Sequence, residues 1–118
     1  MKNVKLNKIV KNTLKNGGGS FKVVGNKKAD KGYMCSIKDI AIVELEDFNS
    51  YVLSQIIKDN KKLLNLKNNF LGTWIEDNKV FIDISKNYKN KKYCLKIARQ
   101  LNQLAIFDLN NLTSIYLK

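Results

Sequence analysis

Leu71-Gly72-Thr73-Trp74-Ile75-Glu76-Asp77-Asn78-Lys79-Val80-Phe81-Ile82-Asp83-Ile84 reads as a β-hairpin, and the rest of the chain organises around it. Leu71 to Ile75 and Lys79 to Ile84 carry the β-branched and aromatic residues of paired strands. Asp77-Asn78 sits at the turn, where both residue types tolerate the positive φ that a tight hairpin demands.

Toward the C-terminus, Asn87 is placed to cap a helix running to about Asn102, with Cys94, Ile97, Ala98 and Leu101 inward. Lys89, Lys92, Lys96 and Arg99 share its outer face. A second hairpin follows, from Leu104 to Asp108 and Leu112 to Leu117 around an Asn110-Asn111 turn. Toward the N-terminus, Asn65 to Asn69 forms a loop. Before it, Phe48, Val52, Ile56, Leu63 and Leu64 recur at helical spacing behind Asp47 as N-cap.

Tyr33 to Ile37 and Ile40 to Leu45 read as two short strands about a Lys38-Asp39 turn, and Ser20 to Val24 as another strand. The chain opens with an amphipathic helix, Asn3 to Asn16. Leu6, Ile9, Val10, Thr13 and Leu14 form its apolar stripe, with Lys5, Lys8, Lys11 and Lys15 on the other side. Gly17-Gly18-Gly19 ends it. Hairpins alternating with helices predict an α+β fold, a mostly antiparallel sheet packed with about three helices.

One domain accounts for all 118 residues. Within it, residues 1–31 form a basic helix, glycine cap, first strand and basic loop, and residues 32–118 the remaining α+β core. The formal net charge is +12. Nine lysines and one aspartate fall in residues 1–31, so two-thirds of the excess sits in the first quarter of the chain. An AT-rich genome enriches lysine without selection for binding, so the clustering is the informative part. No acidic residue interrupts Lys2 to Lys28, and neither basic helix face has the Glu that builds i, i+4 pairs. An unbalanced basic face favours a partner that neutralises it. Every basic residue but Arg99 is Lys, which suits phosphate contact more than bidentate reading of guanine.

The chain has no His, the commonest general base and metal ligand. Cys35 and Cys94 cannot make a zinc site by themselves and are expected to be reduced and buried. No phosphate loop, dinucleotide fingerprint or nucleophile elbow occurs. The Gly17-Gly18-Gly19-Ser20 run follows a helix C-terminus, whose dipole repels anions. No enzyme, cofactor or metal is therefore expected. The weakest of three readings is a metal-dependent hydrolase using Asp83 and Asp108, with Ser85 on the same strand face as Asp83. No apolar run approaches ~18 residues, so no spanning helix is expected. No signal peptide is visible at the N-terminus, and a cytoplasmic location is expected.

Four stretches carry a resemblance: Lys15 to Phe21, Gly32-Tyr33-Met34-Cys35-Ser36, Leu71-Gly72-Thr73-Trp74 leading into Val80 to Ser85, and Asn102 to Leu109. In this order they resemble a diffuse group of small accessory proteins carried by bacteriophages and other mobile elements. The resemblance implies an anti-defence role, including anti-CRISPR-like inhibition, in the cytoplasm of a bacterial host. The implied partner is a bacterial defence effector protein or its guide RNA, met through basic surfaces. The expected contact set is Lys5, Lys8, Lys11, Lys15, Lys22, Lys27, Lys28, Lys31, Lys89, Lys92, Lys96 and Arg99. The alternative is a general nucleic-acid-binding accessory protein that contacts the phosphate backbone.

Overall fold

A computed structural model describes residues 3–25 and 28–117. In chain order the elements are α1 (Asn3–Asn16), β1 (Gly18–Phe21), β2 (Tyr33–Glu44), a 3-10 turn (Leu45–Asp47), α2 (Ser50–Asp59) and α3 (Lys61–Leu64). Then come β3 (Asn69–Glu76), β4 (Lys79–Tyr88), α4 (Lys91–Gln100), β5 (Ala105–Asp108) and β6 (Thr113–Tyr116). All strand pairs are antiparallel in one six-stranded sheet, ordered β1-β3-β4-β2-β5-β6. The fold is α+β, as the pattern of hairpins and helices predicts.

The β3–β4 hairpin turns at Asp77 (φ 52°) and Asn78 (φ 60°), the two successive positive φ values of a type I′ turn. Register runs from Glu76↔Lys79 through Gly72↔Asp83 to Asn69↔Lys86. The hairpin is thus longer than its apolar residues suggest. Pairing with β2 on the far side of β4 extends the ladder over Ser85, Lys86 and Asn87.

Four local expectations are corrected. The two short strands flanking Lys38-Asp39 are a single strand, β2, whose register shifts between Ser36 and Lys38 and again between Asp39 and Ala41. The bulges absorb Ile37 and Ile40 as extra residues, while Lys38 and Asp39, which read locally as a turn, pair with Ile84 and Asp83. Asn49, not Asp47, caps α2, accepting from Val52 N–H, and the helix breaks at Asn60 before α3. Asn90, not Asn87, caps α4 by accepting from Tyr93 N–H; Asn87 instead donates to the Lys31 and Tyr33 carbonyls. The first strand begins at Gly18, two residues early. Gly17 (φ +80°) closes α1 with its N–H on the Thr13 carbonyl, and a Cβ at Gly18 would lie 2.5 Å from the Thr73 carbonyl oxygen.

All four helices serve one face of the sheet. Leu6 and Ile9 of α1, Leu53 and Ile57 of α2 and Leu64 of α3 pack with Leu71, Val80, Ile82 and Ile84. Cys94 and Ala98 of α4 pack with Cys35 and Ile106 farther along that face. Cys35 and Cys94 are both buried, and the hydrogen bond with Cys35, reinforced by burial, raises the Cys94 pKa. Strand alternation turns Gly72, Trp74, Phe81, Asp83 and Ser85 to the opposite face, where Trp74 is 51% and Ile42 64% exposed.

A buried hydroxyl pair ties α1 to the sheet, Thr13 Oγ1 and Thr73 Oγ1 being 2.7 Å apart. Thr13→Val keeps the volume but strands the Thr73 hydroxyl. It should cost about 1–3 kcal/mol, read as a lower urea midpoint at unchanged m-value. Thr13→Val with Thr73→Val should recover most of that loss.

Candidate functional site

The expected basic residues divide into three groups. Lys8, Lys11 and Lys15 on α1, Lys92, Lys96 and Arg99 on α4, and Lys28, Lys31 and Lys89 in the connecting segments are exposed. None of these nine makes an ion pair with a described carboxylate. Two others are committed to the fold. Lys5 Nζ donates to the Val23 and Gly25 carbonyls, at 3.0 and 2.9 Å. Lys22 Nζ donates to Leu66, Lys67 and Asn69 carbonyls and lies 5.4 Å from the Phe70 ring centroid. Both side chains tie the segment after β1 to its neighbours. Lys27 lies outside the described residues.

The α4 group has company that the sequence reading missed. Tyr88, Lys89, Asn90, Lys92, Tyr93 and Lys96 surround one shallow hollow. The rings of Tyr88 and Tyr93 meet edge to face at 5.5 Å, and Lys86 Nζ lies 5.6 Å from the Tyr88 centroid. Burial raises the Tyr88 pKa, so its hydroxyl stays protonated at neutral pH. Tyr93 is 52% exposed. The signal was present as Tyr88 and Tyr93 interleaved with Lys89 and Lys92, but it needed the end of β4 to fold against α4.

Asp83 and Asp108 do not share a site. Asp83 faces Gly72 and Asp39 across the neighbouring strands, whereas Asp108 pairs with Tyr33, whose β4 partner is Tyr88. Five residues of β4 separate those levels, roughly 17 Å. Asp108 caps its own turn, accepting from Asn110 N–H, Asn111 N–H and the Asn111 side-chain amide. The amide of Asn111 is the main reason its pKa is lowered. Among the described residues no three His, Cys, Asp or Glu side chains are grouped to hold a metal ion.

Asp83 is the unusual carboxylate. Burial raises its pKa, against the Ser36 and Ser85 hydroxyls, and Asp39 pushes it further up. Ser85 Oγ donates to Asp83 Oδ1 at 3.1 Å. Because the folded pKa is above the unfolded one, the ionised group disfavours folding. The penalty is complete above the folded pKa and vanishes as pH falls below the ordinary carboxylate value. Asp83→Asn should therefore stabilise the protein at pH 7.5, read as a higher urea midpoint. Urea melts repeated below about pH 4 should show no gain.

No protein-family model matches this chain, and no curated protein or solved structure matches it either. No helix among the described residues is long and apolar enough to cross a membrane.

Proposed function

We propose that this protein is a non-catalytic anti-defence protein of the anti-CRISPR-like kind, which binds a bacterial defence nucleoprotein complex through the basic surface of its helical layer. One observation carries the reading. Helices α1 and α4 cover the same face of the sheet, and their exposed Lys8, Lys11, Lys15, Lys92, Lys96 and Arg99 make no ion pair with a described carboxylate. A partner presenting phosphates, such as a guide RNA in its effector, supplies the missing charge. The resemblance to small mobile-element accessory proteins supplies the setting.

The second reading, a general nucleic-acid-binding protein, is favoured by Tyr88 and Tyr93 set among Lys86, Lys89, Lys92 and Lys96, an arrangement suited to stacking a base beside its phosphate. The two readings separate in a titration against an RNA-guided effector complex and against naked RNA and DNA at stepped salt. Inhibition of the effector, with only weak, salt-erased binding to naked polynucleotide, supports the first. Tight binding to naked strands with a steep salt slope and no inhibition supports the second. No binding to either at low salt overturns both.

A further inference from the structure

We infer that the open face of the sheet binds an organic cation, an ammonium or guanidinium group held between Asp83 and Asp39 with the Trp74 indole against it. The inference is independent of the basic helical layer, which lies on the other side of the sheet.

Two hollows of about 730 and 350 Å³ open on this face, and Asp83 and Trp74 line both. Their size falls in the range of small-molecule sites. Asp83 and Asp39 are direct partners across β4 and β2, and like charges placed opposite one another repel. In a chain with 22 Lys and Arg, no described basic residue lines either hollow. Among the described residues the carboxylates thus have no counter-charge lining the hollows, although the chain holds cations in excess.

Ser36 also lines the smaller hollow, and its buried hydroxyl is near enough to Asp83 to favour the ionised carboxylate. The walls suit a cation. Trp74 is half exposed, with Phe81 5.8 Å away centroid to centroid, and Phe107 lines the larger hollow. An indole face beside a carboxylate attracts ammonium and guanidinium groups through the ring quadrupole. Gly72 leaves the room: a Cβ there would run into the Asp83 carboxyl. A carboxylate pair and aromatic walls together select a cation.

Trp74 is the only tryptophan, so its fluorescence reports the site directly. Agmatine, which carries both cationic groups, should change Trp74 emission saturably. Asp83→Asn and Asp39→Asn should each weaken that response at least tenfold, while Lys8→Glu/Lys11→Glu/Lys15→Glu leaves it in place. Acetyl-Gly-Arg-Gly-amide distinguishes the source. A response to agmatine and peptide alike supports a guanidinium as sufficient, a response to agmatine alone supports a free small cation, and a response to peptide alone supports capture of a partner's basic side chain. No saturable change with either probe overturns the inference. So does a response unaltered in both Asp variants, or one produced by Mg²⁺ or Ca²⁺ and by neither organic cation. Far-UV circular dichroism of each variant confirms folding, and Asp39→Asn, at an exposed position, keeps the test valid if Asp83→Asn misfolds.

Discussion

Lys8→Glu/Lys11→Glu/Lys15→Glu is expected to weaken polyanion binding by roughly a hundredfold or more near physiological salt, and to flatten its salt dependence. Each phosphate contact to a single strand contributes about −0.7 to the slope of log K against log salt, so losing three should reduce the slope by about 2. The substitutions should leave the fold intact, because these lysines are exposed on α1 and make no ion pair with a described carboxylate. Relief of self-repulsion should keep the thermal midpoint level or raise it.

Lys5→Glu and Lys22→Glu provide the contrasting controls. Their ammonium groups hold backbone carbonyls of the segments 23–25 and 66–69, so their replacement should lower stability. Lys89→Glu/Lys92→Glu/Lys96→Glu tests the other helix. Loss with both triple variants supports contact across the helical layer, and loss with one alone assigns the contact to that helix. If neither variant alters binding or inhibition, the proposed interface is wrong.

The parts of this fold legible in the sequence are those set by neighbours in the chain. The β3–β4 hairpin is one, because Asp77-Asn78 satisfies the turn whatever packs nearby. Cap positions were less legible. Asn occurs at 49, 60, 87 and 90, and residue type alone does not say which one turns its oxygen to a free N–H. The bulges of β2 imitate a turn because Lys38 and Asp39 are polar, and only the long ladder with β4 shows that the strand continues.

The lysines follow the same logic. Their exposure on α1 and α4 follows from helical periodicity, but the roles of Lys5 and Lys22 depend on carbonyls 18 to 47 residues away. The open-face site was the least legible part. Asp83 and Ser85 were visible as strand neighbours, but Ser36, Asp39 and Gly72 join them only through strand pairing distant in sequence. An aspartate on an alternating strand reads as a solvent-facing residue until its partners are known.

Gly72→Ala should expose that dependence most directly. At an unconstrained strand position, alanine is better than glycine by about 0.5–1 kcal/mol. Here the added Cβ would collide with the Asp83 carboxyl and sit 3.3 Å from Ser85 Oγ. The carboxyl is the end of a side chain, yet its buried setting and bond to Ser85 restrict where it can go. Forcing it aside should turn the expected gain into a loss of about 1–3 kcal/mol, as overpacking does elsewhere. Asp83→Ala removes the obstacle, so Gly72→Ala introduced into that background should be neutral or stabilising. Urea melts of the two single variants and the double variant then give a coupling of about 2 kcal/mol. Additive effects would mean that Gly72 is not there to make room for Asp83. Strong coupling would show that the β3–β4 register sacrifices a side chain to seat this carboxylate, a cost in stability that folding alone does not require.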